Sequence, residues 1–308
     1  MMTTAGLYQW TKPRIEAECH RAWLDYDGAL GDRYTRYFQE HPEFANTEQV
    51  WSAKDIESAL PPGYGGLAER LPSGRHSQHL PGKSSQILAL ALLGASAKSD
   101  PSHQWLWNAF SPIKPGASQL PRATFEVEVT TGVLGEQSGR RTSVDYLIED
   151  PEVVICIECK WREDGIGSCS CADHEGCEPA TGACRNVIRD GRPIYWETAR
   201  DVFFLPERRD GSPCPLSPVY QAVRNMAAAL RLSEPDGVGV FGLIYDANNP
   251  YFAGCGDWPG WPTVLSAALR DDAHTRARFR AVSWQELMPL LELDDGVRNW
   301  ARDKHGLE

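Results

Sequence analysis

The nine residues Val153-Val-Ile-Cys-Ile-Glu-Cys-Lys-Trp161 constrain this chain more than any other stretch. Their first half is an unbroken apolar, β-branched run of strand length. Such a run reads as a strand in the middle of a sheet, covered on both faces. Side chains alternate along a strand, so Cys156, Glu158 and Lys160 share one face and Ile155, Ile157 and Cys159 the other. Two charges at neighbouring same-face positions then close an otherwise apolar strand. Burying ions is costly unless they are paired or bind a metal, so this pair needs a reason.

The flanking sequence supplies the rest of a sheet. Thr124-Phe-Glu-Val-Glu-Val-Thr130 alternates apolar and polar residues, Thr142 to Glu149 reads as a second strand, and Glu149-Asp-Pro151 turns the chain into the central strand. Gly132 to Arg140 has the glycine content of a hairpin loop. Further on, Ile194–Phe204 and Val219–Leu232 read as helices, Gly237–Tyr245 as a strand, Thr263–Arg276 as a helix and Phe279–Ser283 as a short strand. Trp284 opens a C-terminal helix with Ser283 as its N-cap. Upstream, Ser84–Ser85 starts a helix that is apolar nearly all round and is therefore expected to be buried. Arg14–Glu40 is helical by spacing, with Gly28 and Gly31 expected to divide it, and 61–83 reads as a loop. The order is that of a mixed α/β fold: a central mixed sheet flanked by helices, with N-terminal helices added over 1–79 and a Cys-rich insertion at 163–193 within a domain covering 80–308.

A hairpin joining the second and third strands brings Asp145 beside Glu158. Two adjacent carboxylates repel unless a cation lies between them. With oxygen ligands alone the expected cation is Mg²⁺ or Mn²⁺. There it would polarise a phosphodiester and acidify a bound water, with Lys160 orienting that water and stabilising charge on the phosphate. The bland alternative is a surface hairpin carrying a salt bridge.

Asp145, twelve intervening residues and then Glu158-x-Lys160, on consecutive strands after a helix, resembles the PD-(D/E)XK nuclease superfamily and its restriction-endonuclease-like fold. Glu158-Cys-Lys160 is the only acidic-x-Lys triplet in the chain. Val144 stands where the superfamily's usual proline precedes the aspartate. Gln221 on the following helix matches a position where many members place Gln or Lys near the active site, and Arg224 lies one turn later. Gly82-Lys-Ser-Ser-Gln86 and Trp284 are similar to a bacterial, poorly characterised subgroup. The resemblance covers residues 80 to 292. It implies a metal-dependent deoxyribonuclease in which Asp145 and Glu158 bind Mg²⁺ or Mn²⁺, the carbonyl of Cys159 is a further ligand, Lys160 positions the water and Gln221 supports the site. Arg140, Arg141, Arg162 and Arg224 would contact phosphates. Glu126, Glu128 and Glu16 are weighed as further carboxylates, though Glu126 and Glu128 read first as the solvent face of a strand. A rival from another class is a catalytically inactive nuclease-fold module that binds or scaffolds. A third reading is a metal enzyme acting on another phosphorylated substrate.

Nine cysteines stand at 19, 156, 159, 169, 171, 177, 184, 214 and 255. The number is odd and no secretory leader is visible, so reduced thiols or a metal site are expected rather than a disulfide framework. Cys169, Cys171, Cys177 and Cys184 fall within one loop and would make a tetrahedral Zn²⁺ site. Unligated thiols, or an iron–sulfur cluster of the kind some superfamily members carry, are the alternatives. Cys156 and Cys159 read as core fillers. Gly82-Lys83-Ser84 is no phosphate loop, because Ser77 stands where the first glycine belongs and no strand precedes it.

The formal charge is −11, from 31 basic and 42 acidic residues. A general nucleic-acid coat would be basic, so any nucleic acid must be gripped locally. No apolar run approaches the roughly 20 residues that span a bilayer. The expectation is a cytoplasmic enzyme on nucleic acid, DNA first, away from membranes and acting as a homodimer if both strands are cut.

Overall fold

The structure is a computed structural model. It describes residues 10–44, 53–71, 84–110, 121–129, 131–134, 142–150, 152–169, 194–204, 217–270 and 276–308. Its centre is a five-stranded sheet in the order β1-β2-β3-β4-β5, with β1 Arg122–Glu128, β2 Ser143–Glu149, β3 Val153–Cys159, β4 Val238–Tyr245 and β5 Ala277–Ser283. The first three strands form an antiparallel meander, and β3, β4 and β5 run parallel. Every residue of β3 is buried, as its apolar run requires. Tyr146, Ile148, Ile155 and Ile157 pack on one face of the sheet, while Leu147 and Cys156 pack on the other.

The helices are α1 Lys12–Glu40, α2 Ala53–Ala59, α3 Ser85–Ser99, α4 Gln104–Phe110, α5 Ile194–Val202, α6 Tyr220–Leu232, α7 Trp261–Ala268 and α8 Asp295–Trp300. Helix α3 begins where Ser84 accepts from the Gln86 N–H, and Ile87 to Ala95 are all buried. A helix apolar on every side has no solvent face to offer, so it lies inside one layer. Helix α6 covers the opposite face. It presses so close to β4 that a Cβ on Gly239 would lie 2.6 Å from the Leu230 nitrogen. Glycine there lets the site-bearing helix sit directly on the sheet. Among the described residues no helix is long and apolar enough to cross a membrane.

Several sequence expectations need correction. Helix α1 is one uninterrupted element, and Gly28 and Gly31 do not divide it. An interior glycine costs a helix about 0.5–1 kcal/mol and does not end it when tertiary contacts outweigh that. Here Ile15, Cys19, Leu30, Tyr34 and Tyr37 supply the buried face. Helix α7 starts at Trp261, earlier than expected, because Pro262 suits a first helical turn. It stops at Ala268, where Leu269 becomes extended and bridges Phe203. The stretch read as loop contains a 3₁₀ turn at Gly65–Arg70, and a short helix at Thr131–Leu134 opens the segment read as hairpin loop. Strand β5 starts two residues before the expected Phe279. The Ser283 cap is present as a full capping box, closed by Glu286. The thiol expectation also gives way: Cys19 of α1 is disulfide-bonded to Cys255, 236 residues later.

Candidate active site

The β2–β3 ladder pairs Tyr146 with Ile157, which places Asp145 and Glu158 one step further along, side by side. The β1–β2 ladder pairs Phe125 with Tyr146 and Val127 with Val144, so Glu126 stands on the far side of Asp145. Three carboxylates therefore occupy one row across three strands. Asp145, Glu158 and Glu126 are 8%, 2% and 7% exposed. Glu126 has φ +47, in the left-handed region, within a strand. That conformation costs of order 1–3 kcal/mol and clusters at functional sites. Its carboxylate accepts from the Ser143 hydroxyl at 3.3 Å.

The polar partners of the row come from β3 itself and from α6. Lys160, just past the strand, donates its N–H to the Ile244 carbonyl at 2.7 Å. Its Nζ lies 2.8 Å from Glu158 Oε1 and 3.4 Å from Gln221 Oε1. The Cys159 N–H donates to Asp145 Oδ2 at 2.8 Å. Asn225 Nδ2 donates to Glu158 Oε2 at 3.0 Å. Gln221 and Asn225 are four residues apart on α6, so they lie one above the other on the face that meets the sheet. Gln221 is also seated by Gly167, whose φ is +109 and whose hypothetical Cβ would lie 2.0 Å from Gln221 Oε1. Any side chain at Gly167 would push that amide off Lys160.

The electrostatics follow from burial and crowding. Burial first, then the charges of Glu158 and Glu126, hold the Asp145 carboxyl well above the usual carboxylate range, against the pull of Lys160 and the Cys159 N–H. For Lys160, burial works against the ammonium, but Glu158, Glu163 and Asp145 outweigh it and raise the group above an ordinary lysine. The site thus keeps its cation charged and disfavours the ionised form of Asp145. A second cation would offset that. Two adjacent carboxylates suit a hard divalent ion, which takes one or two carboxylates and retains several waters. Among the described residues no three His, Cys, Asp or Glu side chains converge as a complete ligand set.

Beyond Lys160 the chain is gripped at each polar atom of Trp161. Its N–H donates to Glu163 Oε2 at 2.6 Å, and its Nε1 donates to the Tyr34 hydroxyl at 2.8 Å. Its carbonyl accepts from the Tyr26 hydroxyl at 2.9 Å and from Asn249 Nδ2 at 3.1 Å. Glu163 also accepts from Ser85 at the start of α3, at 2.6 Å. Tyr26 and Tyr34 belong to α1, so the N-terminal helix bears directly on the exit of β3.

Of the residues read from sequence, the structure brings together Asp145, Glu158, Lys160 and Gln221. Arg224 donates to Thr142 Oγ1 at 2.9 Å and stacks on Tyr220. Arg162 is engaged with Asp27 of α1. Glu16 pairs with Lys12 at 3.6 Å on an exposed face. Cys169 is buried, and its N–H donates to the Ser217 carbonyl. Cys171, Cys177, Cys184, Arg140 and Arg141 lie outside the described residues. Sequence reasoning missed Asn225, whose signal was its position one helical turn beyond Gln221. It also took Glu126 first as solvent-facing.

A five-stranded mixed sheet with helices on both faces, carrying acidic residues and a lysine at the adjoining ends of two strands, is consistent with a restriction-endonuclease-like protein. The family model described as "Restriction Endonuclease associating with ARP" matches residues 64–304, and the chain belongs to that family. No curated protein and no solved structure matches the chain.

Proposed function

We propose that this protein is a divalent-metal-dependent nuclease of the PD-(D/E)XK type that hydrolyses phosphodiester bonds, with DNA as substrate. The observation that carries the reading is the convergence of buried Asp145, Glu158 and Lys160 with half-buried Gln221 in one cluster. Asp145 and Glu158, with the Cys159 carbonyl, would hold Mg²⁺ or Mn²⁺. When bound, the ion polarises the phosphodiester and acidifies a water. Lys160 then exchanges its contact with Glu158 for one with the attacking water or the phosphate oxygens, and Gln221 keeps its ammonium aimed at the site. Arg224 and Arg162 are candidates for phosphate contacts, and Arg162 must give up Asp27 to make one. A structural Zn²⁺ on Cys169, Cys171, Cys177 and Cys184 belongs to the same proposal and is checked by elemental analysis of the purified protein.

The test is cleavage of plasmid and linear DNA with Mg²⁺ or Mn²⁺ by wild type, Glu158→Ala and Lys160→Ala. Metal-dependent cutting that both variants lose supports the assignment, and cutting that survives in both overturns it.

A second reading, a non-catalytic binding or scaffold module, is favoured by one observation. Lys160 engages Glu158 and the Cys159 N–H engages Asp145, so both carboxylates already have partners within the chain. Saturable Mn²⁺ binding that vanishes in Asp145→Ala would speak against it.

A further inference from the structure

Asn225 is fully buried, and its amide has two unequal ends. The Nδ2 end donates to Glu158 Oε2 at 3.0 Å. The Oδ1 end is a buried acceptor with no donor among the described residues. The amide cannot be turned round, because that would set its oxygen against the Glu158 carboxylate. A buried carbonyl oxygen without a donor costs roughly 1–3 kcal/mol and calls for an explanation, such as a bound water or ion.

Glu158 is the carboxylate held from both sides. Lys160 takes Oε1 and Asn225 takes Oε2. If Lys160 turns to the substrate, Asn225 alone keeps the carboxylate in its rotamer. Asn225 lies on the buried face of α6, together with Ala222, Val223, Met226 and Ala229, so the helix anchors the amide. Outer partners of this kind orient a metal's ligands and tune its affinity.

We infer that Asn225 is a positioning residue for the divalent ion: its Nδ2 orients Glu158 as a metal ligand, and its Oδ1 accepts a hydrogen bond from a water carried by that ion. The inference rests on the metal-site reading above and deepens it. It assigns the open acceptor to the water that such an ion would retain. Such an arrangement suits Mg²⁺ or Mn²⁺, which give up their waters reluctantly.

The test is Mn²⁺ binding to the full-length chain, followed by calorimetry and by the electron-spin signal of free Mn²⁺. The proteins are wild type, Asp145→Ala, Asn225→Leu and Asn225→Ala, each with its melting temperature. Leucine keeps the volume and fills the helix face, so a purely packing role survives in Asn225→Leu. The expected result is a folded Asn225→Leu with Mn²⁺ affinity roughly 10- to 100-fold weaker than wild type, the range for lost outer partners. Asn225→Ala should show the same loss. Wild-type affinity in either folded Asn225 variant overturns the inference while the metal-site reading stands. Failure of both variants to fold also overturns it, since the residue is then structural. If wild type binds no Mn²⁺, or Asp145→Ala binds as wild type does, the metal-site reading itself has failed.

Discussion

Among the described residues two lysines are buried, and their surroundings drive them in opposite directions. Lys160 lies among Glu158, Asp145 and Glu163 and is held charged. Lys304, 0% exposed, has the Ala59 carbonyl at 3.1 Å and the rings of Tyr37, Phe38 and Trp300 around it. No carboxylate contacts Lys304 among the described residues. Burial alone lowers it to about 7. Aromatic faces and one carbonyl soften the loss of water around an ammonium but do not replace it as carboxylates do. Burial is common to both, so the difference is the company of opposite charge. The paired lysine can serve chemistry, whereas the unpaired one ties α1 and the Ala59 turn to the C-terminal segment.

The sharpest way to break this contrast is to remove each charge in turn. Lys160→Met should abolish metal-dependent DNA cleavage, with a loss of about 10²-fold or more, the scale of a positioned proton-transfer or charge-stabilising group. Near wild-type cleavage would make Lys160 an ornament of the sheet.

Lys304→Met should act on stability instead, in a pH-dependent way. Between about pH 7 and the ordinary lysine value, the unfolded chain carries a proton on Lys304 that the folded chain lacks. Stability contributed at this position therefore rises with pH across that window and is flat below it. Relative to Lys304→Met, wild type should gain about 1.4 kcal/mol per pH unit above pH 7, read from urea unfolding at a series of pH values. A pH-independent gap would mean that Lys304 stays charged and that the contrast with Lys160 is false.

Smaller effects sharpen the picture. Asp145→Asn relieves crowding while keeping an acceptor for the Cys159 N–H, so the metal-free protein should melt higher, by about 1 kcal/mol. An unchanged or lower melting temperature would show that the three carboxylates do not strain one another. Tyr26→Phe removes a hydroxyl that reaches both the Trp161 carbonyl and Asp246. It should cost about 1 kcal/mol in denaturant unfolding, and no loss at all would mean that α1 does not hold the exit of β3.

The difference between these lysines also marks what could be read beforehand. Lys160 was legible because it interrupts an apolar strand two residues after a glutamate, a pattern with period two. Helix α3 was legible because it has no polar face. Lys304 follows Arg302 and Asp303, and nothing local separates it from a solvated lysine. Its burial is decided by contacts to residues more than 200 positions away. Asn225 was hidden for a related reason: a polar residue on an amphipathic helix reads as solvent-facing until the helix is set on the sheet. Glu126 obeyed strand alternation in the sequence, yet its backbone is left-handed and its side chain is buried. Periodicity reports local burial, while the support of the site is built from distant pairs such as Tyr26 with Asp246.

The bond between Cys19 and Cys255 makes a loop of most of the chain. All five strands but β5, and both carboxylates of the candidate site, lie within it. With this bond closed, the stretch from Cys19 to Cys255 is a ring even in the unfolded polypeptide. Loop-closure arguments give such a ring roughly 5 kcal/mol less freedom to lose on folding. The thiol status of the surroundings would then govern how far the molecule can come apart and how readily it returns, without touching a residue of the site.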